Sequence, residues 1–219
     1  MKFIILGCGS SMGVPRPDGF YGNCDPKNKK NYRTRCSALF QTSDENILID
    51  TSPDLRQQLL RHKIKKINKV LYSHMHGDQT HGINDLRSFF INSRKPVDVY
   101  ADKFTSNYLL KTFSYIFKSY SREYPATLKL NKLKNNFFTL NNNRKIKIKS
   151  IEVEHGKVRS NCFILDKKLA NFLSKIKQFD LTLPCSTSID LIFIFLLLFN
   201  VKKLFFNLFS FKVAGYSLE

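Results

Sequence analysis

Tryptophan is absent from this chain of 219 residues, and its five cysteines include no CxxC pair. The spacing of Cys8, Cys24, Cys36, Cys162 and Cys185 argues against both a disulfide framework and an autonomous zinc knuckle. The apolar run at residues 191–199 is nine residues long and is bracketed by Asp190 and Asn200. A helical membrane span needs roughly 20 residues, so no membrane partner is expected. No internal repeat stands out, which excludes a solenoid or propeller. The amino terminus, MKFIILGCGSS, has only a short apolar run that leads straight into a glycine turn. It predicts a first strand and not a signal peptide, and a reduced, cytoplasmic setting follows. Acidic residues are scarce, 17 against 36 Lys and Arg, for a net charge of +19. Such a charge attracts phosphate-bearing partners. It is also what a codon bias toward A and T gives in a chain rich in Lys, Asn, Ile and Phe, and the lysines are spread along the chain instead of forming one stripe.

What is present fits one globular domain: 42% hydrophobic and 24% charged residues, with 20 phenylalanines in a core that has no tryptophan. Residues 2–6 predict a buried strand, followed from Gly9 to about Arg35 by a long loop rich in turn signals such as Pro15, Pro17, Asp18-Gly19 and Asp25-Pro26. Loops of that length are commonly functional or disordered. Residues 36–41 and 46–50 predict a hairpin, and Ser52-Pro53-Asp54 predicts a helix with Ser52 as N-cap, running to about His62. Strands are expected at 69–73, 97–101, 137–140, 146–153 and 161–165, the last ending in a turn at Asp166-Lys167-Lys168, with a helix at about 105–118. This alternation predicts an α/β fold with two packed sheets over residues 1–170. The strand rhythm stops near Asn171, so residues 171–219 read as a degenerate or divergent hydrophobic tail.

The chemistry is concentrated in Ser73-His74-Met75-His76-Gly77-Asp78, directly after the apolar run at 69–73. Alternate residues of an extended strand end point to one side, so His74, His76 and Asp78 can converge on one point. Imidazoles and a carboxylate suit Zn²⁺, and also Mn²⁺ or Fe²⁺.

This segment resembles the HxHxDH signature of the metallo-β-lactamase superfamily. LGCGSSMGVPR at 6–16, RTRCSALF at 33–40 and ILIDTSPDLR at 47–56 are similar to the same superfamily. Their order, the long connection between them and His81-Gly82-Ile83-Asn84-Asp85-Leu86-Arg87 most resemble its phosphoribosyl cyclic phosphodiesterase branch. The resemblance implies a metallo-β-lactamase-type αββα sandwich, here with an incomplete carboxyl-terminal half. It implies that His74, His76 and His155 supply three imidazoles to one metal position, and that Asp78 serves a second position and helps orient or deprotonate the attacking water. Asp50 is implied as a partner behind a ligand histidine, His81 as a substrate or metal contact, and a small phosphate ester or cyclic phosphate as substrate. Cys24 is a further candidate for a structural metal, and His62 reads as a solvated helix end.

The chain departs from the pattern in two places. Gln79 stands where the signature has its third histidine, and no histidine follows His155. Asp166, in a turn, and Asp180, with no strand leading into it, do not sit where a bridging carboxylate is expected. One well-formed metal position is therefore the expectation, and the tail after Ala170 has the character of a frameshifted or decayed terminus. Three functions remain open: a metal-dependent phosphodiesterase, a decayed relative with little turnover, and an RNA-processing or nucleic-acid-binding protein.

Overall fold

A computed structural model describes residues 2–133, 137–140, 146–156, 158–165 and 169–171. The tail expected at 171–219, the turn at Asp166-Lys167-Lys168, and Asp180 lie outside the described residues, apart from Asn171. Two sheets are formed. The first takes β1 (Lys2–Gly7), β2 (Ser37–Gln41), β3 (Asn46–Ile49), β4 (Lys69–Leu71), β5 (Val97–Ala101) and β6 (Leu128–Lys132) in chain order. Pairing is antiparallel from β1 to β3 and parallel from β3 to β6. The second is antiparallel, ordered β10 (Leu169–Asn171), β9 (Val158–Leu165), β8 (Ile146–His155), β7 (Phe137–Leu140). The helices are α1 (Leu55–Arg61), α2 (Gly77–Thr80), α3 (Arg87–Ser93), α4 (Lys103–Thr112) and α5 (Ser114–Phe117). Among the described residues, no helix is long and apolar enough to cross a membrane.

The period-two alternation of the central strands divides the core in two. Leu39, Leu48 and Val70 turn toward Leu55, Leu59, Leu86, Phe89 and Leu109 of the helical layer. Their chain neighbours Ala38, Phe40, Ile47, Ile49 and Leu71 turn the other way and meet Ile148 and Phe163 of the second sheet. One face of the first sheet thus carries helices and the other carries the second sheet.

Two helices and the long loop differ from expectation, each for a local reason. Regular helix begins at Leu55 and not at Pro53, because Ser52 closes a turn first: its hydroxyl accepts from Asp54 N at 3.0 Å and its carbonyl from Leu55 N at 2.9 Å. The helix expected at 105–118 is two helices that start earlier, at Lys103. Asp102 caps the first by accepting from Thr105 N at 2.8 Å, and buried Phe113 breaks the run with φ −121° and ψ 36°. The loop from Gly9 to Arg35 is tied back on itself, with Val14 N to Arg33 O at 2.9 Å and Arg33 N to Val14 O at 2.7 Å.

Candidate metal centre

β3 and β4 both stop where their backbones are diverted. Asp50 enters the left-handed region at φ 59° and turns the chain out of β3. Its buried carboxylate accepts from Ser73 N and from Ser73 Oγ, each at 2.7 Å, so β4 cannot continue pairing through Ser73 as expected. The Ser73 carbonyl leaves in the other direction and accepts from Asn161 N of β9 at 2.8 Å. The ligand loop that follows is thereby anchored to both sheets.

His74 is buried, 2% exposed, immediately after this anchor. His76 stands before α2, and His155 closes β8 at a hairpin whose Gly156 adopts φ 60°, as tight two-residue turns require. The candidate ligand atoms of the three imidazoles all lie within 4.8 Å of one another. Ring centroids are 4.7 Å apart for His74–His76, 4.7 Å for His74–His155 and 5.5 Å for His76–His155.

The tautomer of His74 follows from its neighbours. Ser73 Oγ donates to Asp50, so it accepts from His74 Nδ1 at 3.0 Å, and Ser160 Oγ lies 3.4 Å from the same nitrogen. Nδ1 therefore carries the proton and Nε2 presents its lone pair, 3.0 Å from His76 Nδ1. Two imidazole nitrogens at that separation repel unless a proton or a cation sits between them. Burial, then the neighbouring His155 and His76, pushes His74 down to about 3, so it is a neutral donor over the whole physiological range. Three converging imidazoles, with His74 neutral and oriented, fit a borderline transition-metal cation.

The other expected residues are placed as follows. Asp78 is half-buried and is not part of the three-imidazole group: α2 begins at Gly77, so the extended two-residue alternation expected through Asp78 gives way to helix. Its charge instead acts on Arg35, whose guanidinium is raised above its usual value mainly by the Asp54 carboxylate. Arg35 NH2 and Nε grip Asp54 at 2.6 and 2.9 Å. Asp50 reaches His74 through Ser73. His81 is exposed and turns to α4, with Nε2 3.2 Å from Tyr108 OH and its ring edge-on to Phe113 at 5.7 Å. Gln79 is 2% exposed, and its buried Oε1 has no hydrogen-bond partner among the described residues. Its backbone carbonyl accepts from Thr51 N at 2.7 Å, fastening α2 to the end of β3. His62 is the half-buried C-cap of α1. Cys24 is buried and joins no metal-holding group among the described residues.

Ser73, Ser160 and Asn161 were not singled out from sequence. Serine and asparagine carry no chemical signature of their own; Ser73 was visible only as the residue before His74, and only the packing of β9 against the end of β4 brings Ser160 and Asn161 up to His74 and Ser73.

Residues 45–172 match the family described as a beta-lactamase superfamily domain, which is more than half of the chain. The chain belongs to the beta-lactamase superfamily. Among solved structures of this superfamily fold, a diphosphatase of the PhnP family is 29% identical, with a TM-score of 0.64 over 74% of this chain and 61% of that one. The zinc-bound PqqB of Methylobacterium extorquens, 18% identical at a TM-score of 0.55, and human tRNase Z, short form, 18% identical at 0.52, share the fold. They cover 75% and 78% of this chain, and 61% and 67% of those chains. Among curated proteins, an octanoyltransferase of Porphyromonas gingivalis is 36% identical over 128 residues, 58% of this chain and 25% of that protein. Ribonuclease Z of Staphylococcus carnosus is 32% identical over 108 residues, 47% of this chain and 34% of the enzyme. The chain therefore spans a quarter to a third of the length of these two relatives. The expected α/β fold is present: two sheets, helices on the outer face of the first, and the histidines at strand ends.

Proposed function

We propose that this chain is a metal-dependent hydrolase acting on a small phosphate ester or cyclic phosphate, with His74, His76 and His155 holding one cation. The observation that carries the reading is the convergence of these three imidazoles from two sheets, with His74 locked as an Nε2 donor. Zinc suits this donor set, and manganese or iron is compatible with it. When bound, such a cation acidifies water toward a pKa of about 7 and draws charge from a phosphoryl oxygen. The protein's own contributions are orientation and charge. Asp50 holds Ser73, Ser73 holds the His74 ring, and Asp78, on the first turn after the ligand loop, orients the attacking water and accepts its proton. His81 and Tyr108 stand beside this turn, where they can meet the substrate. The likeness to a PhnP-family diphosphatase supports phosphorus as the centre attacked. The cytoplasmic setting expected from the sequence is part of this proposal.

Metal analysis of the purified full chain, combined with hydrolysis of bis(p-nitrophenyl) phosphate, tests the reading. Close to one metal per chain and turnover abolished in His74→Ala are expected. A metal-free protein whose activity is indifferent to His74 sinks it. Metal bound without turnover favours the second reading, a decayed relative, which Gln79 at the signature's third-histidine position supports.

A further inference from the structure

We infer that Asn161 is the positioning residue that assembles the three-imidazole centre, by clamping the peptide that carries His74 to the second sheet; this rests on those imidazoles binding a cation. Asn161 is 4% exposed and sits on β9. Its side-chain Nδ2 donates to the Ser73 carbonyl at 3.2 Å and to the Asp102 carboxylate, and its backbone N donates to the same Ser73 carbonyl at 2.8 Å. Its Oδ1 accepts from Ser150 Oγ of β8 at 2.7 Å. One side chain thus joins β8, the head of α4 and the ligand loop.

The Ser73 carbonyl belongs to the planar peptide linking Ser73 to His74, so fixing that oxygen fixes the plane from which the His74 side chain departs. The other flank of Ser73 is held by Asp50 at 2.7 Å through both N and Oγ. Ser73 is therefore gripped from the first sheet by Asp50 and from the second by Asn161. His155, the third imidazole, rides on β8, the strand paired with the one that carries Asn161. The distance from the His74–His76 pair to His155 is set across the junction that Asn161 closes. A buried amide in a satisfied network of this kind specifies one arrangement, and partial loss of it leaves polar groups stranded.

Cobalt(II) titration of the metal-free full chain tests this, reading the visible ligand-field bands and the dissociation constant by competition with a chelating dye, with the melting temperature of the metal-free protein beside it. Asn161→Ala is expected to weaken cobalt binding about tenfold or more and to shift the bands, although it removes no ligand. An Asn161→Ala protein that melts lower yet binds cobalt with unchanged affinity and bands makes Asn161 merely structural, and overturns the inference. If Asn161→Ala does not fold, Ser150→Ala, which removes only the bond supporting the amide, is expected to weaken binding about threefold, the worth of one neutral hydrogen bond. Unchanged affinity there overturns the inference equally. Failure of the wild-type chain to take up cobalt overturns the metal reading itself, a result distinct from either variant outcome.

Discussion

Ser73 connects a carboxylate to an imidazole and has no chemistry of its own. With its hydroxyl donating to Asp50 and accepting from His74, replacement by alanine removes one hydrogen bond from the buried Asp50 carboxylate and leaves the His74 Nδ1 proton only Ser160 Oγ, at 3.4 Å. Ser73→Ala is expected to lower metal affinity about 10- to 100-fold, as losses behind a ligand histidine generally do, and competition against a chelator of known affinity would measure it. The same ring gives a pH signature. His74 titrates at 6.5 when unfolded and is held down to about 3 when folded, so below 6.5 the unfolded chain binds more protons. Its contribution makes the metal-free protein lose stability as pH falls from 6.5 toward 3, by at most about 1.4 kcal/mol per pH unit, and makes no difference above 6.5. Melting temperatures of chelator-treated protein between pH 7 and pH 4, compared with a His74→Gln variant, would show whether the slope belongs to this ring.

At the scale of elements, the approach of the ligand-loop helices to the end of β3 is tight enough to be tested by one carbon atom. A Cβ on Gly82 would lie 1.9 Å from the Ser52 carbonyl oxygen, while Gly82 N donates to Thr51 O at 2.9 Å. Gly82→Ala is expected to lower the melting temperature by several degrees or to prevent folding, and an unchanged melting curve would mean this contact is looser than described. Leu48, fully buried between β2 and β4, should cost about 2–5 kcal/mol when cut to alanine, measurable by urea titration. These elements were largely legible in the sequence: two strand-like runs at 36–41 and 46–50 around the polar turn Thr42-Ser43-Asp44-Glu45 gave the hairpin, and the apolar run before His74 gave β4. What was not legible depended on long-range partners. Nothing local to Phe113 says that its ring packs against His81 and Tyr108 and splits a helix. Nothing local to Asp78 says that helix begins one residue before it, in place of the extended alternation expected there. His74 and His76 were legible from their spacing directly after an apolar run and His155 through the family resemblance, whereas the serine and asparagine behind them carry no such signal.

For the whole molecule, the net charge of +19 bears on which phosphate is recognised. If that charge serves a nucleic-acid partner, transfer RNA should bind with an affinity that falls steeply as salt rises from 50 to 200 mM, about 1000-fold or more for six phosphate contacts. A flat salt response, or no binding at low salt, would remove the nucleic-acid-binding reading.

The strand order carries a last consequence, for synthesis. Every neighbour in the first sheet is also the next strand in the chain, from β1 to β6, so this sheet can pair progressively as the chain leaves the ribosome. His74 and His76 are then already side by side on a formed strand end, while His155 has yet to emerge. The third donor arrives only with the β8–β9 hairpin, and a cation captured early would wait at a two-armed site until that hairpin docks.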